Sequence, residues 1–219
     1  MQDPVPRSKE NNMSAQAFWD RQAIKYAKKP IADLTAYEEK LQRIRSVLRP
    51  TDRILEIGCG TGGTARKIAT GVAHVTATDL SAEMIRIARS RSDEFTAKKI
   101  EILQAEASQE VSGYPFDAIC AFSLLHLVDD IPNVLDAVYR QVKPGGLFLS
   151  KTVCLKDSSR WIQVIVRMLV SLRIAPKVVC ISRAELTRHL ISAGFEIDQT
   201  VYFDKKRMSP FIIARRPAD

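Results

Sequence analysis

The stretch Ile54-Leu55-Glu56-Ile57-Gly58-Cys59-Gly60-Thr61-Gly62-Gly63 decides how this chain folds. Its first residues belong to a short apolar run, Arg53–Ile57, of a length suited to one buried strand. The glycines that follow let the backbone turn sharply and approach a ligand closely. Thr64 to Thr70 then reads as a helix. The first N–H groups of such a helix have no partner within it and face back over the turn. A strand, a glycine turn and a helix in that order make one unit of an α/β sheet.

The same unit recurs downstream. His74–Thr78, Ile100–Leu103, Phe116–Phe122 and Leu147–Val153 are apolar runs of strand length. Helices are expected at Ala82–Ser90 and from about Ile131 to Val142, with a Lys143-Pro144-Gly145-Gly146 turn before the fifth strand. Near-continuous apolar strands alternating with helices predict a parallel sheet covered on both faces. The end departs from that rhythm. After a helix over Ser182–Ala193, stopped by Gly194, come two strands, Phe195–Phe203 and Met208–Ala214. About four residues join them, so they must run antiparallel. The fold class predicted is α/β, a doubly wound, mostly parallel seven-stranded sheet of Rossmann-like type with an antiparallel final hairpin strand.

Upstream, residues 1–14 read as a disordered tail and 15–219 as a single domain. Ala15–Lys28 is expected to be a helix with Phe18, Ala23, Ile24 and Ala27 inward, and Thr35–Leu48 a second. The chain has 219 residues, 46% of them apolar and 26% charged, which suits one soluble α/β domain with a proper core. No run of about 18 uncharged apolar residues occurs, so no transmembrane helix is expected. The four cysteines, at 59, 120, 154 and 180, form no CxxC pair, which argues against a disulfide framework and for a reducing cytoplasm. Net charge is +8, and residues 151–219 hold 13 Lys and Arg against 6 Asp and Glu. Such a basic third either meets an anionic partner or is a solvated face.

Two cofactors compete for the glycine turn. Gly58-x-Gly60-x-x-Gly63 satisfies a dinucleotide fingerprint, and Asp79 lies about 20 residues on, where a ribose-binding carboxylate belongs. An NAD-dependent oxidoreductase is therefore one reading. Glu56 favours another, since a carboxylate repels a pyrophosphate but suits an ammonium. Glu56-x-Gly58-x-Gly60-x-Gly62 closely resembles the first motif of class I S-adenosylmethionine (SAM)-dependent methyltransferases, and the resemblance extends over most of the chain. Thr78-Asp79-Leu80-Ser81 with Met84 resembles the second motif, in which the acid binds both ribose hydroxyls and the next apolar residue lies against adenine. Asp79 suits this as a bidentate acceptor, although it could instead cap the following helix. Ala105-Glu106-Ala107 stands where the family usually has Gly-Asp-Ala around the adenine amino group; neighbouring backbone N–H groups there could share the work.

Phe116–Asp130 resembles the fourth motif of the branch typified by quinone-biosynthesis C-methyltransferases. The resemblance implies SAM as cofactor and cofactor contacts at Tyr26, Glu56, Gly58, Cys59, Gly60, Gly62, Asp79, Leu80, Met84, Ala105, Glu106, Ala107 and Phe122. Tyr26 matches a tyrosine that closes over SAM in relatives, or else simply packs. His126, after the fourth strand, is the catalytic candidate, as a general base or as a pocket wall. His74 and His189 are given no role. Asp129 and Asp130 read as a helix start, and no metal is predicted.

The acceptor is expected to be a small molecule, quinone-like or a lipid. Nucleic acid is not expected, since Phe122-Ser123-Leu124-Leu125 replaces the Asn/Asp-Pro-Pro-Tyr loop of base methyltransferases and no Pro-Cys nucleophile is present. Residues 155–181 read as a lid or substrate insertion. Within it, apolar residues at 161, 164, 165, 168, 169 and 172 share one helical face among Arg160, Arg167 and Arg173. Such a segment fits either a lid packed on the core or peripheral membrane contact through 161–181. The remaining expectations are a monomer or homodimer and, as a further function class, a SAM-binding protein without catalysis.

Overall fold

The structure, a computed structural model, describes residues 7–172, 174–204 and 206–218. Seven strands form one sheet in the order β3-β2-β1-β4-β5-β7-β6. The strands are β1 (Arg53–Ile57), β2 (His74–Asp79), β3 (Ile100–Gln104), β4 (Phe116–Phe122), β5 (Val142–Lys151), β6 (Glu196–Val201) and β7 (Phe211–Arg215). β1 pairs in parallel with β2 and with β4, β2 with β3, and β4 with β5. β7 runs antiparallel to both β5 and β6. This is the doubly wound sheet with an antiparallel end that the strand spacing predicts.

Among the described residues, eight α-helices connect and cover it: α1 (Arg7–Lys28), α2 (Leu34–Arg45), α3 (Gly63–Ala69), α4 (Ala82–Ser90), α5 (Glu94–Ala97), α6 (Ile131–Gln141), α7 (Arg160–Ser171) and α8 (Arg183–Ser192). One face of the sheet packs Leu55, Ile57, Ile119 and Phe148 against Leu135 and Val138 of α6 and Leu186 and Leu190 of α8. The other packs Ile54, Cys120 and Leu149 against Leu41 and Ile44 of α2, Ile68 of α3 and Ile85 of α4. Alternate residues of β1 and β4 thus serve opposite cores, as the pleat requires.

Helix starts carry local chemistry. Ser81 caps α4 by accepting from the Met84 N–H at 3.1 Å, and Asp130 caps α6 by accepting from Asn133 at 3.0 Å. Ser182 and Glu185 form a reciprocal capping box at α8.

Four expectations are corrected. Residues 7–14, read as tail, continue α1; no glycine or proline interrupts the chain from Arg7 to Lys28, and the polar residues there include good helix formers. Residues 1–6 lie outside the described residues. Ile24, expected to face inward, is 57% exposed, because α1 meets the body along Trp19, Ala23 and Ala27. The Lys143–Gly146 turn lies within β5 as a bulge: pairing to β4 jumps from Phe116↔Val142 to Ala118↔Leu147. The β6–β7 connection covers 202–210, not four residues. Asp204 there accepts from the Met208 and Ser209 N–H groups, and Pro210 has no N–H to extend the ladder.

Candidate functional site

The parallel strands end at one edge of the sheet, and the site is built there. Gly58, Gly60 and Gly62 adopt φ values of 68°, 56° and 71°, in the left-handed region that favours glycine. A side chain at Gly58 would also strike Leu124, with a Cβ only 2.7 Å from its Cδ1. The Cys59 N–H donates to the Thr78 carbonyl at 2.8 Å, tying the loop to the end of β2.

Asp79 organises this edge. Its Oδ2 accepts from the Gly60 N–H at 2.8 Å and its Oδ1 from the Ser81 N–H at 2.9 Å. A carboxylate has about four acceptor sites, so each oxygen retains capacity for another donor. Burial pushes the Asp79 carboxyl up, and the two backbone donors oppose that shift.

α1 covers the edge. Asp20 accepts from the Ser81 hydroxyl at 2.6 Å and from the Glu83 N–H at 3.2 Å, so it shares the capping of α4. Arg91, just past α4, donates to the Ala27 carbonyl at 2.7 Å and to the Thr61 hydroxyl at 3.2 Å, joining the end of α1 to the glycine loop. Trp19 and Tyr26 meet edge to face, with ring centroids 6.2 Å apart. Partial burial, then Asp79 and Glu56, push the Tyr26 phenol up, so it is a neutral hydroxyl at neutral pH.

Between α1, the loop and the strand ends lies a cavity of about 400 Å³, a size typical of small-ligand sites. Ten of the thirteen residues expected to contact a cofactor line it: Tyr26, Gly58, Gly60, Asp79, Leu80, Met84, Ala105, Glu106, Ala107 and Phe122. The other three do not. Cys59 points into the core beneath the loop and is 8% exposed. Gly62 is the N-cap of α3, where its left-handed φ and a Cβ 3.2 Å from Ala88 both call for glycine without any ligand. Glu56 is 2% exposed behind the loop, and its Oε2 has no hydrogen-bond partner. The backbone expectation at Ala105 also changes, because its N–H already donates to the Asp79 carbonyl at 3.1 Å.

His126 departs from the catalytic expectation. It sits in a 3₁₀ turn, Leu125–Leu127, and Leu124, Leu127 and Val128 line the cavity while its own side chain does not. Its Nδ1 is buried without a partner, and burial lowers the imidazole to about 4. A base that weak is poorly matched to neutral pH. Its carbonyl instead accepts from the Val179 N–H at 2.8 Å, anchoring the segment that follows α7.

The expected lid also differs. No described residue of 155–181 is among those lining the cavity; α1 supplies the cover through Ala15, Trp19 and Tyr26. α7 has no buried residue, and its apolar side faces outward: Trp161 is 79% exposed, and Val164, Ile165 and Met168 are at least half exposed. Arg173 lies outside the described residues.

Sequence reasoning missed the far wall: Ser123, Leu124, Leu127, Val128, Asn133 and Val134. Ser123 takes a left-handed φ of 57° while its N–H donates to the Lys151 carbonyl at 2.7 Å, a strained turn out of β4. No composition signal marks a serine for that geometry. Asp129 and Asp130 also reach the cavity, the first paired with Lys177 at 2.7 Å and the second capping α6.

A sheet of order 3-2-1-4-5-7-6, with a glycine loop after its central strand and a carboxylate after the next, is the class I SAM-dependent methyltransferase architecture. The family described as a methyltransferase domain matches residues 25–200, and the chain belongs to that family. Membership sets aside the dinucleotide reading of the glycine spacing. Among its relatives, the ubiquinone biosynthesis O-methyltransferase of Xylella fastidiosa (strain 9a5c) is 36% identical over 107 residues, covering 46% of this chain and 42% of that protein. The chain spans about half the length of the curated relatives it matches. That relative is named for oxygen methylation, whereas the fourth motif resembles carbon methyltransferases. Among solved structures, magnesium protoporphyrin IX methyltransferase from Synechocystis PCC 6803, with bound SAH, superposes with a TM-score of 0.72 at 13% identity, covering 94% of this chain and 99% of that one. The [4+2]-cyclase SpnF superposes with 0.66 at 18% identity, covering 84% and 81%. Its name shows that this fold alone does not fix a reaction.

Proposed function

We propose that this protein transfers a methyl group from SAM to a small acceptor that is apolar or aromatic in part. One observation carries the reading: Asp79, on the floor of the cavity, has both oxygens oriented by backbone donors and acceptor capacity left over. That arrangement fits two adjacent ribose hydroxyls. Leu80 and Met84 offer an apolar wall for adenine, Glu106 an acceptor for its amino group, and Tyr26 and Trp19 a cover. Gly58 and Gly60 leave space for close approach, and Glu56, with an unpartnered buried oxygen, suits an ammonium.

When bound, SAM supplies a methyl group already activated on sulfur, so the protein's work is chiefly alignment. Phe122, Leu124, Leu127 and Val128 offer the acceptor an apolar wall, and Asp129 and Asn133 a polar end. His126 serves as a support behind that wall.

The outward apolar side of α7 favours a second element of the reading, peripheral contact with an anionic membrane surface. Trp161, Ile165 and Met168 would enter the interface, with Arg160 and Arg167 against lipid phosphates. No helix among the described residues is long and apolar enough to cross a membrane. Four free cysteines fit a reducing cytoplasm.

The test incubates the protein with methyl-radiolabelled SAM and a whole-cell extract, followed by solvent partition. Label transferred to an organic-phase product supports the reading. Label only in aqueous products replaces the apolar acceptor with a polar metabolite. SAM binding without transfer to any acceptor supports a non-catalytic binding protein. For α7, cosedimentation with phosphatidylglycerol vesicles should be lost in Ile165→Asp, and equal sedimentation of both proteins would refute the contact.

A further inference from the structure

The chain carries a net charge of +8, yet four carboxylates line the cavity, Asp79, Glu106, Asp129 and Asp130, and no Lys, Arg or His among the described residues does. A cleft lined by one sign of charge concentrates the opposite sign and repels its own. With Asp79 and Glu106 assigned to the nucleoside, Asp129 and Asp130 are left for the acceptor, beside the apolar wall of Phe122, Leu124, Leu127 and Val128.

Both of these acids have one oxygen engaged. Asp130 Oδ1 accepts from the Asn133 N–H at 3.0 Å and sets its charge against the start of α6. Asp129 Oδ1 meets the Lys177 Nζ at 2.7 Å, with 61% of the lysine side chain and 31% of the aspartate exposed, so water screens the pair. Lys177 itself does not line the cavity. A carboxylate has about four acceptor sites, so Asp129 can still take an N–H from a ligand.

The same lining is a poor place to ionise a phenol. His126 lies behind the wall, and burial lowers its imidazole to about 4. The titratable groups left in the lining are carboxylates and Tyr26, and an ordinary carboxyl lies about six units below a phenol. Tyr26 shows the field at work: burial first, then Asp79 and Glu56, push its phenol up. A phenolate, carboxylate or phosphate brought to this wall meets repulsion and no cation within the lining.

We propose that the acceptor's reacting atom is nitrogen: a small, weakly basic amine on an apolar or aromatic frame, uncharged as it enters, with its N–H donated to Asp129. The proposal deepens the reading of this cavity as the site of a SAM-dependent methyl transfer and rests on it. An uncharged amine needs no base. Its lone pair forms the C–N bond as the C–S bond of SAM breaks with its electrons left on sulfur, and the positive charge passes to nitrogen beside Asp129. The methylated nitrogen gives up its extra proton to water after release. The cavity thus holds one positive charge before and after transfer, whereas a phenolate would first have to bring in another negative one.

Two measurements test this. The first reads the field without turnover. 4-Nitrophenol, whose phenolate is yellow, is titrated with pH in an excess of the full chain loaded with S-adenosylhomocysteine. Its midpoint should rise by about one unit on binding, the size of a nearby like charge. Asp129→Asn should take back most of that rise and Lys177→Met should enlarge it, with S-adenosylhomocysteine binding unchanged in both. Opposite signs of this kind do not come from altered packing. A midpoint that falls, that stays put, or that both variants leave alone would overturn the proposal, as would failure of the loaded protein to take up the probe.

The second measurement identifies the product. The protein, methyl-radiolabelled SAM and a whole-cell extract are incubated, and the organic phase is back-extracted into dilute acid. Label that moves into the acid is carried by a basic amine and supports the proposal. Asp129→Asn should slow its formation about tenfold, the scale of one lost hydrogen bond to a charged group. Label that stays in the solvent belongs to an ether, an ester or a carbon skeleton, and it would overturn the proposal while leaving methyl transfer intact. Label only in aqueous products would overturn it too, by removing the apolar frame. No binding of S-adenosylhomocysteine, or no label in any product, would instead defeat the methyl-transfer reading itself, and this proposal with it.

Discussion

Replacing Asp79 by Asn tests the centre of the site, because the carboxylate does two jobs that the substitution separates. One oxygen accepts from Gly60 and the other from Ser81, at 2.8 and 2.9 Å. Asparagine keeps one acceptor and turns an NH₂ toward the other N–H. Leaving one partly buried donor unmatched costs about 1–3 kcal/mol. A domain of this size loses about 2–4 °C in Tm per kcal/mol, so a fall of roughly 2–12 °C is expected by differential scanning fluorimetry. The ligand loses separately. Hydrogen bonds to a charged acceptor contribute about 1.5–3 kcal/mol against about 0.5–1.5 for a neutral one. S-Adenosylhomocysteine should then bind roughly 5- to 100-fold more weakly by calorimetry. 5′-Methylthioadenosine, which has the same ribose and lacks the amino-acid head, should weaken by a similar factor. A fall in Tm with S-adenosylhomocysteine affinity unchanged within about twofold, against that estimate, would mean that Asp79 only holds the loop. The ribose assignment would then be wrong.

Three further outcomes follow from the geometry. Gly60→Ala meets only Tyr26 Cε1 at 3.7 Å but is held at φ 56°; it should cost about 1–2 kcal/mol of stability in urea melts, and cofactor binding should fall further because the new methyl group occupies cavity space. Burial holds the His126 imidazole near 4, below the unfolded value of about 6.5. Its contribution to stability is therefore complete above pH 6.5 and is lost as pH falls toward 4, by about 2 kcal/mol at pH 5. Urea melts at pH 7 and pH 5 should show that loss in wild type and less of it in His126→Gln, while the methylation rate stays flat from pH 6.5 to 8. Asp20→Ala removes the shared cap on α4 and should cost about 0.5–2 kcal/mol; native-state proteolysis should cut within 15–28 faster than in wild type.

How much of this was legible in the chain depends on whether local chemistry decided the matter. β1, β4 and α4 fall on the expected residues because apolar runs, the glycine turn and the Ser81 cap all act within a few positions. The start of α1 did not, since polar residues without proline or glycine permit helix and tail alike. Ten cavity residues were readable from the motifs, yet Cys59 satisfies the same motif by packing into the core and Gly62 by its left-handed N-cap backbone. The far wall at Ser123–Val128 depends on how β4 ends against β5, a long-range matter. Lys40 was readable in principle, as a charge between Ala36 and Ile44 on one buried stripe, but the Thr64 hydroxyl and the Phe122 ring it meets come from distant parts of the chain. α7 shows the opposite failure: its periodicity gave the apolar face correctly but could not say whether anything in the chain covers it.

The fastening of α1 also bears on time. Its apolar grip on the body is small: Ala23, with Trp19 and Ala27, against Met84 and Ile87. The rest is polar, through Asp20 at one point and Arg91 at another. A cover fastened in this way can swing free without unfolding the sheet beneath it. Tyr26 and Trp19 would leave with it, so if the cavity holds SAM as proposed, slow release of the spent cofactor past α1 would cap turnover whatever the alignment at the methyl group.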